Sequence, residues 1–114
     1  MIEKFNIGID VVEVKRFSSK IFSENKEFYK KIFTANEIDY CMKFSEPYTH
    51  FAGKFALKEA VIKALNQKID FLEIETFHQN NSPCVKLINF PNCISISSIS
   101  HEKSIAIAVF LAEF

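Results

Sequence analysis

Residues 51–65, FAGKFALKEAVIKAL, constrain the fold more than any other stretch, because a helical apolar repeat there carries a charge inside its own stripe. Phe51, Phe55, Ile62 and Leu65 follow i, i+4, i+11, i+14 spacing, which stacks their side chains on one helix face. Lys58 falls at i+7, within that stripe, and Lys54 flanks it one turn earlier. An unpaired ammonium in an apolar setting is costly, so Lys58 must snorkel to water or lend its charge to a bound anion. Glu59 and Lys63 are four apart in the favourable order. Read on their own they form a solvent-exposed pair worth about 0.3–0.5 kcal/mol. Ala52, Gly53, Ala56, Ala60 and Ala64 are small enough for a neighbour to approach closely.

The first strand supplies a second constraint. In FNIGIDV (residues 5–11), Phe5, Ile7, Ile9 and Val11 alternate with Asn6, Gly8 and Asp10, so Asp10 points away from the apolar side. An aspartate within a strand runs against β-propensity, and Gly8 on the same face clears room for another group. One carboxylate from a strand and one from a helix, Asp10 and Glu59, with lysines at hand, suit a magnesium ion gripping a diphosphate. That hard cation wants oxygen ligands and takes only one or two of them from protein.

The rest of the chain reads as α+β. Residues 13–44 are helical with polar breaks around 18–25, dividing into two or three helices, and Thr34 with Glu37 has capping-box spacing for a helix from Ala35 to about Phe44. Residues 45–49 form a short connection, because Pro47 forbids a helix running straight through it. Residues 71–77 alternate as a half-exposed strand and pair across the 79–83 turn with 84–88 as an antiparallel hairpin. Strands 94–100 and 104–111 close the chain, joined through His101, Glu102 and Lys103.

With 114 residues and no repeat or linker, a single domain over 1–114 is expected, small enough for oligomerisation to help stability. Thirteen phenylalanines exceed what one small core needs, so they either cover a subunit interface or stand in for leucine. Fourteen basic and 14 acidic residues balance, which argues against a nucleic-acid binder working by bulk charge. Cys41, Cys84 and Cys93 lie far apart without metal spacing and read as reduced thiols of a cytoplasmic protein. The start of the chain lacks an apolar leader core, and no run reaches membrane-span length.

Residues 7–11 (IGIDV) with Arg16, and residues 55–64 (FALKEAVIKA), together resemble the two signature motifs of the holo-[acyl-carrier-protein] synthases, the small single-domain branch of the 4′-phosphopantetheinyl transferases. The likeness extends through residues 32–34, Glu37, Tyr40, Cys41, residues 52–55 and 98–101, so it spans nearly the whole chain. It implies the 4′-phosphopantetheinyl transferase fold, with helices packed on a small, mainly antiparallel sheet. It implies magnesium-dependent transfer of the phosphopantetheine arm of coenzyme A to a serine of apo-acyl carrier protein, leaving 3′,5′-ADP, as in fatty acid biosynthesis. Magnesium would sit on Asp10 and Glu59; Lys54, Lys58, Lys63 and His101 would hold coenzyme A; Glu59 through a water, or His101, would accept the serine proton. The resemblance gives Arg16, and with it Lys15 and Lys20, a part in docking the acidic carrier protein. It also implies a homotrimer with sites between subunits, and leaves open which chain supplies His101 and which supplies Asp10 and Glu59.

Two departures accompany this match. Relatives carry arginines near residues 46–50 and at position 54, where they meet the 3′-phosphate of coenzyme A, whereas this chain has Glu46, His50 and Lys54. Lysine neutralises a phosphate as a point charge but lacks the bidentate fork, so nucleotide binding is expected to be weaker or differently arranged. The turn after the helix, Asn66-Gln67-Lys68, lacks the glycines common in relatives. Rival readings are a non-catalytic oligomeric module binding coenzyme A or a nucleotide, and a structural α+β domain with Asp10 as a strand-end turn former and Glu59–Lys63 as a surface pair.

Overall fold

The computed structural model describes residues 4–113, so the expected domain's first three residues and Phe114 lie outside the described residues. Strand β1 (Phe5–Glu13) leads into three short helices, α1 (Lys15–Ser18), α2 (Lys26–Lys30) and α3 (Ala35–Met42), with a 3-10 turn at Phe22–Glu24. Helix α4 (Pro47–Leu65) follows, then a 3-10 turn at Phe71–Glu73 and strands β2 (Ile74–Gln79), β3 (Ser82–Leu87), β4 (Ile94–His101) and β5 (Ile105–Glu113). The architecture is the α+β one expected, with two antiparallel sheets ordered β1-β5-β4 and β2-β3.

Helix α4 starts earlier than its sequence suggests. Pro47 occupies the first helical turn, where its missing N–H costs nothing and its fixed φ fits. The residues read as a connection are therefore helical from 47 onward, and His50 lies on the helix, four positions before Lys54. The far end stops at Asn66, in the left-handed region at φ 51°, with its N–H on the Ile62 carbonyl at 2.9 Å. Between these ends the helix is buried almost all round, not along one stripe.

Gly8 explains how β1 and α4 come together. A Cβ there would lie 1.9 Å from the Ala60 carbonyl oxygen and 2.9 Å from the Ala64 nitrogen. Only a glycine allows the two backbones to touch. Asn6 then donates to the Ala64 carbonyl at 2.9 Å, and β5 turns Ala106, Ala108, Phe110 and Ala112 inward beneath the same helix.

The other face of that sheet is apolar and open. Ile7, Ile9 and Val11 of β1 and Ile94 and Ile96 of β4 are each 60–70% exposed. The phenylalanines mostly go elsewhere: the Phe17 ring lies within 5.5–6.4 Å of Phe28, Tyr29, Phe33, Phe51 and Phe55, in one aromatic core. Isoleucine and valine form most of the large exposed apolar surface, with Phe5, also exposed, on the same face of β1.

Asn80 and Asn81, both at positive φ, make the two-residue turn of the β2–β3 hairpin. The expected capping box forms, with Glu37 N–H on the Thr34 hydroxyl and Thr34 N–H on Glu37 Oε1. No helix among the described residues is long and apolar enough to cross a membrane.

Candidate functional site

Two groups of polar side chains flank α4. On one flank, Asp10 projects from the inner face of β1 towards the helix, and Lys63 donates to Asp10 Oδ1 at 2.9 Å and to the Ile9 carbonyl at 3.1 Å. Lys63 thus reaches across to the strand instead of closing on Glu59, and Asp10 sits within β1, not at a turn. Glu59, half-buried on the same flank, has its pKa raised, first by burial and then by the Asp10 charge, with Arg16 and Lys63 opposing. A carboxylate destabilised by desolvation and by a second carboxylate is a site that a cation would relieve. The described residues hold no cluster of three or more His, Cys, Asp or Glu at metal-binding separation. Two protein carboxylates nevertheless fit magnesium, which fills its remaining positions with water and substrate oxygens.

On the other flank a pocket of about 330 Å³ is lined by His50, His78, His101, Lys54, Tyr40 and Asn81, among others. Lys54 forms part of its wall. Its ammonium donates to the Thr76 carbonyl and hydroxyl, both at 3.1 Å, and lies 4.7 Å from the centre of the Tyr40 ring. Burial lowers its pKa, and the neighbouring Cys41, Glu37 and Glu75 partly offset this. His101, expected in a turn, is the last residue of β4, 5.5 Å from His50 between ring centres.

Within one chain the two groups stay apart. Lys54 and Lys63 are nine helical positions apart, which at about 100° per residue places them on opposite sides of α4. β1 and β4 are separated by β5, about 10 Å from strand to strand.

Lys58 corrects the sequence reading. It is fully buried, and its three protons go to the Ile32 carbonyl, Glu37 Oε1 and the Phe71 carbonyl at 2.7, 2.7 and 2.9 Å. Glu37 in turn accepts from the N–H groups of Thr34 and Thr76 and from the Thr76 hydroxyl. With every donor spent inside the protein, Lys58 has none for a phosphate. It answers the cost of an ammonium in an apolar stripe with a buried acid, an option the sequence left unlinked because Glu37 lies 21 residues away.

Arg16 and Lys15 are exposed beside the β1–α1 junction, with the Arg16 guanidinium 4.7 Å over the Phe55 ring. Lys20 is exposed too, its ammonium 5.0 Å over Phe28. His50 entered the sequence reading only as a departure from the arginines of relatives, and His78 not at all. The signal for His50 as a pocket residue was its i, i+4 relation to Lys54, hidden by starting the helix at residue 51; His78 carried none.

Comparison with known proteins points in one direction. The family model described as the 4′-phosphopantetheinyl transferase superfamily matches residues 6–110. A holo-[acyl-carrier-protein] synthase of Caldicellulosiruptor bescii is 43% identical over 96% of this chain and 98% of the relative. One of Mycoplasma capricolum is 38% identical over 95% and 94%. Among solved structures, a Bacillus anthracis holo-(acyl-carrier-protein) synthase in complex with CoA (3′,5′-ADP) superposes with TM-score 0.81 at 30% identity, covering 95% of each chain. A Helicobacter pylori holo-[acyl-carrier-protein] synthase in complex with coenzyme A gives 0.80 at 32% identity, over 94% and 99%.

Proposed function

The chain belongs to the 4′-phosphopantetheinyl transferase superfamily, and from that premise we propose that residues 1–114, as one domain, transfer the phosphopantetheine arm of coenzyme A to a serine of apo-acyl carrier protein. The carrying observation is the convergence of Asp10, Glu59 and Lys63 on one flank of α4, in a chain whose relatives are named for this reaction. The serine oxygen attacks the β-phosphorus of coenzyme A, the bond to the nucleotide's phosphate oxygen breaks, and 3′,5′-ADP leaves. A magnesium ion on Asp10 and Glu59 would supply charge neutralisation for the diphosphate and the leaving group. Lys63, more than half exposed, turns its ammonium to the same oxygens. Glu59 through a water, or His101, accepts the serine proton.

Lys54 and His101 hold the nucleotide end, and Arg16, Lys15 and Lys20 present the basic edge on which the acidic carrier docks. Because the Lys54–His101 pocket and the Asp10–Glu59 pair face away from each other in one chain, a complete site is assembled between subunits. The open isoleucine and valine face supports a homotrimer closed through the β1-β5-β4 sheet, since monomers rarely leave an apolar patch of that extent in water. The product serves fatty acid synthesis in the cytoplasm.

The test is to incubate the protein with apo-carrier, coenzyme A and magnesium and to weigh the carrier. A gain of one phosphopantetheine arm, lost in Asp10→Ala and Glu59→Ala variants that stay folded, is expected. An unmodified carrier with coenzyme A still bound would favour the non-catalytic module instead.

A further inference from the structure

Lys54 is a buried ammonium with no acid in contact. It is 2% exposed, yet the ion pairs among the described residues are Lys30–Glu27, Lys58–Glu37 and Lys63–Asp10, none of which includes it. Its partners are neutral: the Thr76 carbonyl and hydroxyl oxygens, each at 3.1 Å, and the Tyr40 ring, 4.7 Å away at its centre. Lys58, one turn further along α4, takes Glu37 directly at 2.7 Å, and Glu75 accepts from the Thr34 hydroxyl. Two buried ammonium groups therefore share one buried carboxylate, and the surplus positive charge lies with Lys54 at the pocket wall. A charge held only by dipoles is one that an entering anion relieves.

Thr76 sets the direction of that charge. Its N–H and its hydroxyl both donate to Glu37 Oε2. A hydroxyl has a single proton, so with that proton on Glu37 its lone pairs are left for Lys54. The amide oxygen of a Glu37→Gln variant would take the same proton, which makes the hydroxyl, and not the charge of Glu37, the group that aims the ammonium. β2 is paired only with β3 among the described residues, and covering one carbonyl on its free edge requires one N–H. The bond from Lys54 to the hydroxyl is a second. One anchor lets an ammonium spin about its stem, whereas two fix the tetrahedron and leave the third N–H as the donor for a ligand in the pocket.

We propose that Thr76 is a positioning residue for coenzyme A binding, its carbonyl and hydroxyl together holding the Lys54 ammonium in one orientation. The inference rests on the reading of Lys54 as a coenzyme A contact. Arginine carries its donors in a rigid, pre-organised fork, while lysine presents rotatable donors on a flexible stem. Thr76 supplies from outside the side chain the fixed direction that lysine lacks, and the ordering entropy is met in folding instead of in binding.

Calorimetry of coenzyme A binding across a double-mutant cycle at Thr76 and Lys54 tests this, each variant first checked for a cooperative melt well above the assay temperature. Thr76→Val keeps the shape and loses the hydroxyl, and should weaken binding about tenfold, as for one hydrogen bond to a charged group. Thr76→Ala, which sets no methyl beside the ammonium, should do the same, while Thr76→Ser, with its hydroxyl kept, should bind as the wild type does. Lys54→Met should weaken binding by about tenfold or more, and adding Thr76→Val to it should cost nothing further. In turnover, Thr76→Val should raise the KM for coenzyme A and not the KM for the carrier, a split that a merely structural role would not produce. Wild-type affinity in Thr76→Val and Thr76→Ala overturns the proposal. So does wild-type affinity in Lys54→Met, or a Thr76→Val loss that recurs in full on the Lys54→Met background. The expected binding pattern in a protein that leaves the carrier unmodified would uphold the proposal and strike only the catalytic reading.

Discussion

Lys58→Met separates a structural lysine from a ligand-binding one. Methionine matches the length of the chain but removes three donors, leaving the Ile32 and Phe71 carbonyls without their partner and the Glu37 carboxylate buried without its cation. Breaking one side of a buried ion pair costs about 3–5 kcal/mol. At about 4 °C per kcal/mol for a domain of this size, the melting temperature should fall by roughly 12–20 °C at fixed protomer concentration. Glu37→Gln should cost a similar amount, since the Lys58 charge is then stranded. The double variant, with no buried charge left, should lose clearly less than the sum of the two. Urea unfolding of all four proteins measures this cycle, and coenzyme A affinity measured well below the transition should match the wild type. A Lys58→Met protein that unfolds at the wild-type midpoint but binds coenzyme A much more weakly would refute the reasoning and return Lys58 to the phosphate site.

Further outcomes follow from the same contacts. Glu59 has a raised folded pKa, so its charged form penalises the fold above that pKa and the penalty disappears as pH falls through it. Glu59→Gln should therefore melt higher than the wild type in chelator at pH 7.5 and equal to it near pH 4, while losing the stabilisation that magnesium gives the wild type. Gly8→Ala needs β1 and α4 to part by about 1.5 Å to restore van der Waals contact, and should cost about 1–3 kcal/mol or more in thermal melts. Ile9→Lys, on the open sheet face, should shift sedimentation from trimer to monomer. Burial drives the Cys41 thiol up to about 12, so a native alkylation time course at pH 8 should label Cys84 well before Cys41.

How much could be read from the sequence depended on whether the partners were local. The strand alternation at 5–11, the capping box at Thr34 and Glu37 and the α4 apolar repeat are short-range patterns, and each gave its element. Gly8 could be read as making room, but not for what: the close approach is to a backbone more than fifty residues on. Lys58 failed for the same reason, because its acid sits on another helix. Alternation also left open which face of β1 is covered. In the chain the polar face, with Asn6, Gly8 and Asp10, packs on α4, and the apolar one is open. The family resemblance supplied roles for Asp10, Glu59 and His101, whereas the histidine pocket required the fold, since its members come from α4, β2 and β4.

The central claim is that Asp10 and Glu59 share one divalent cation with the diphosphate of coenzyme A. Electron paramagnetic resonance of manganese, standing in for magnesium, reads this directly. Wild-type protein with coenzyme A should remove free manganese from solution in a one-to-one titration per protomer, and Asp10→Ala and Glu59→Ala, each still folded and still binding coenzyme A, should weaken that uptake at least tenfold. Manganese uptake unchanged in both variants would contradict the account.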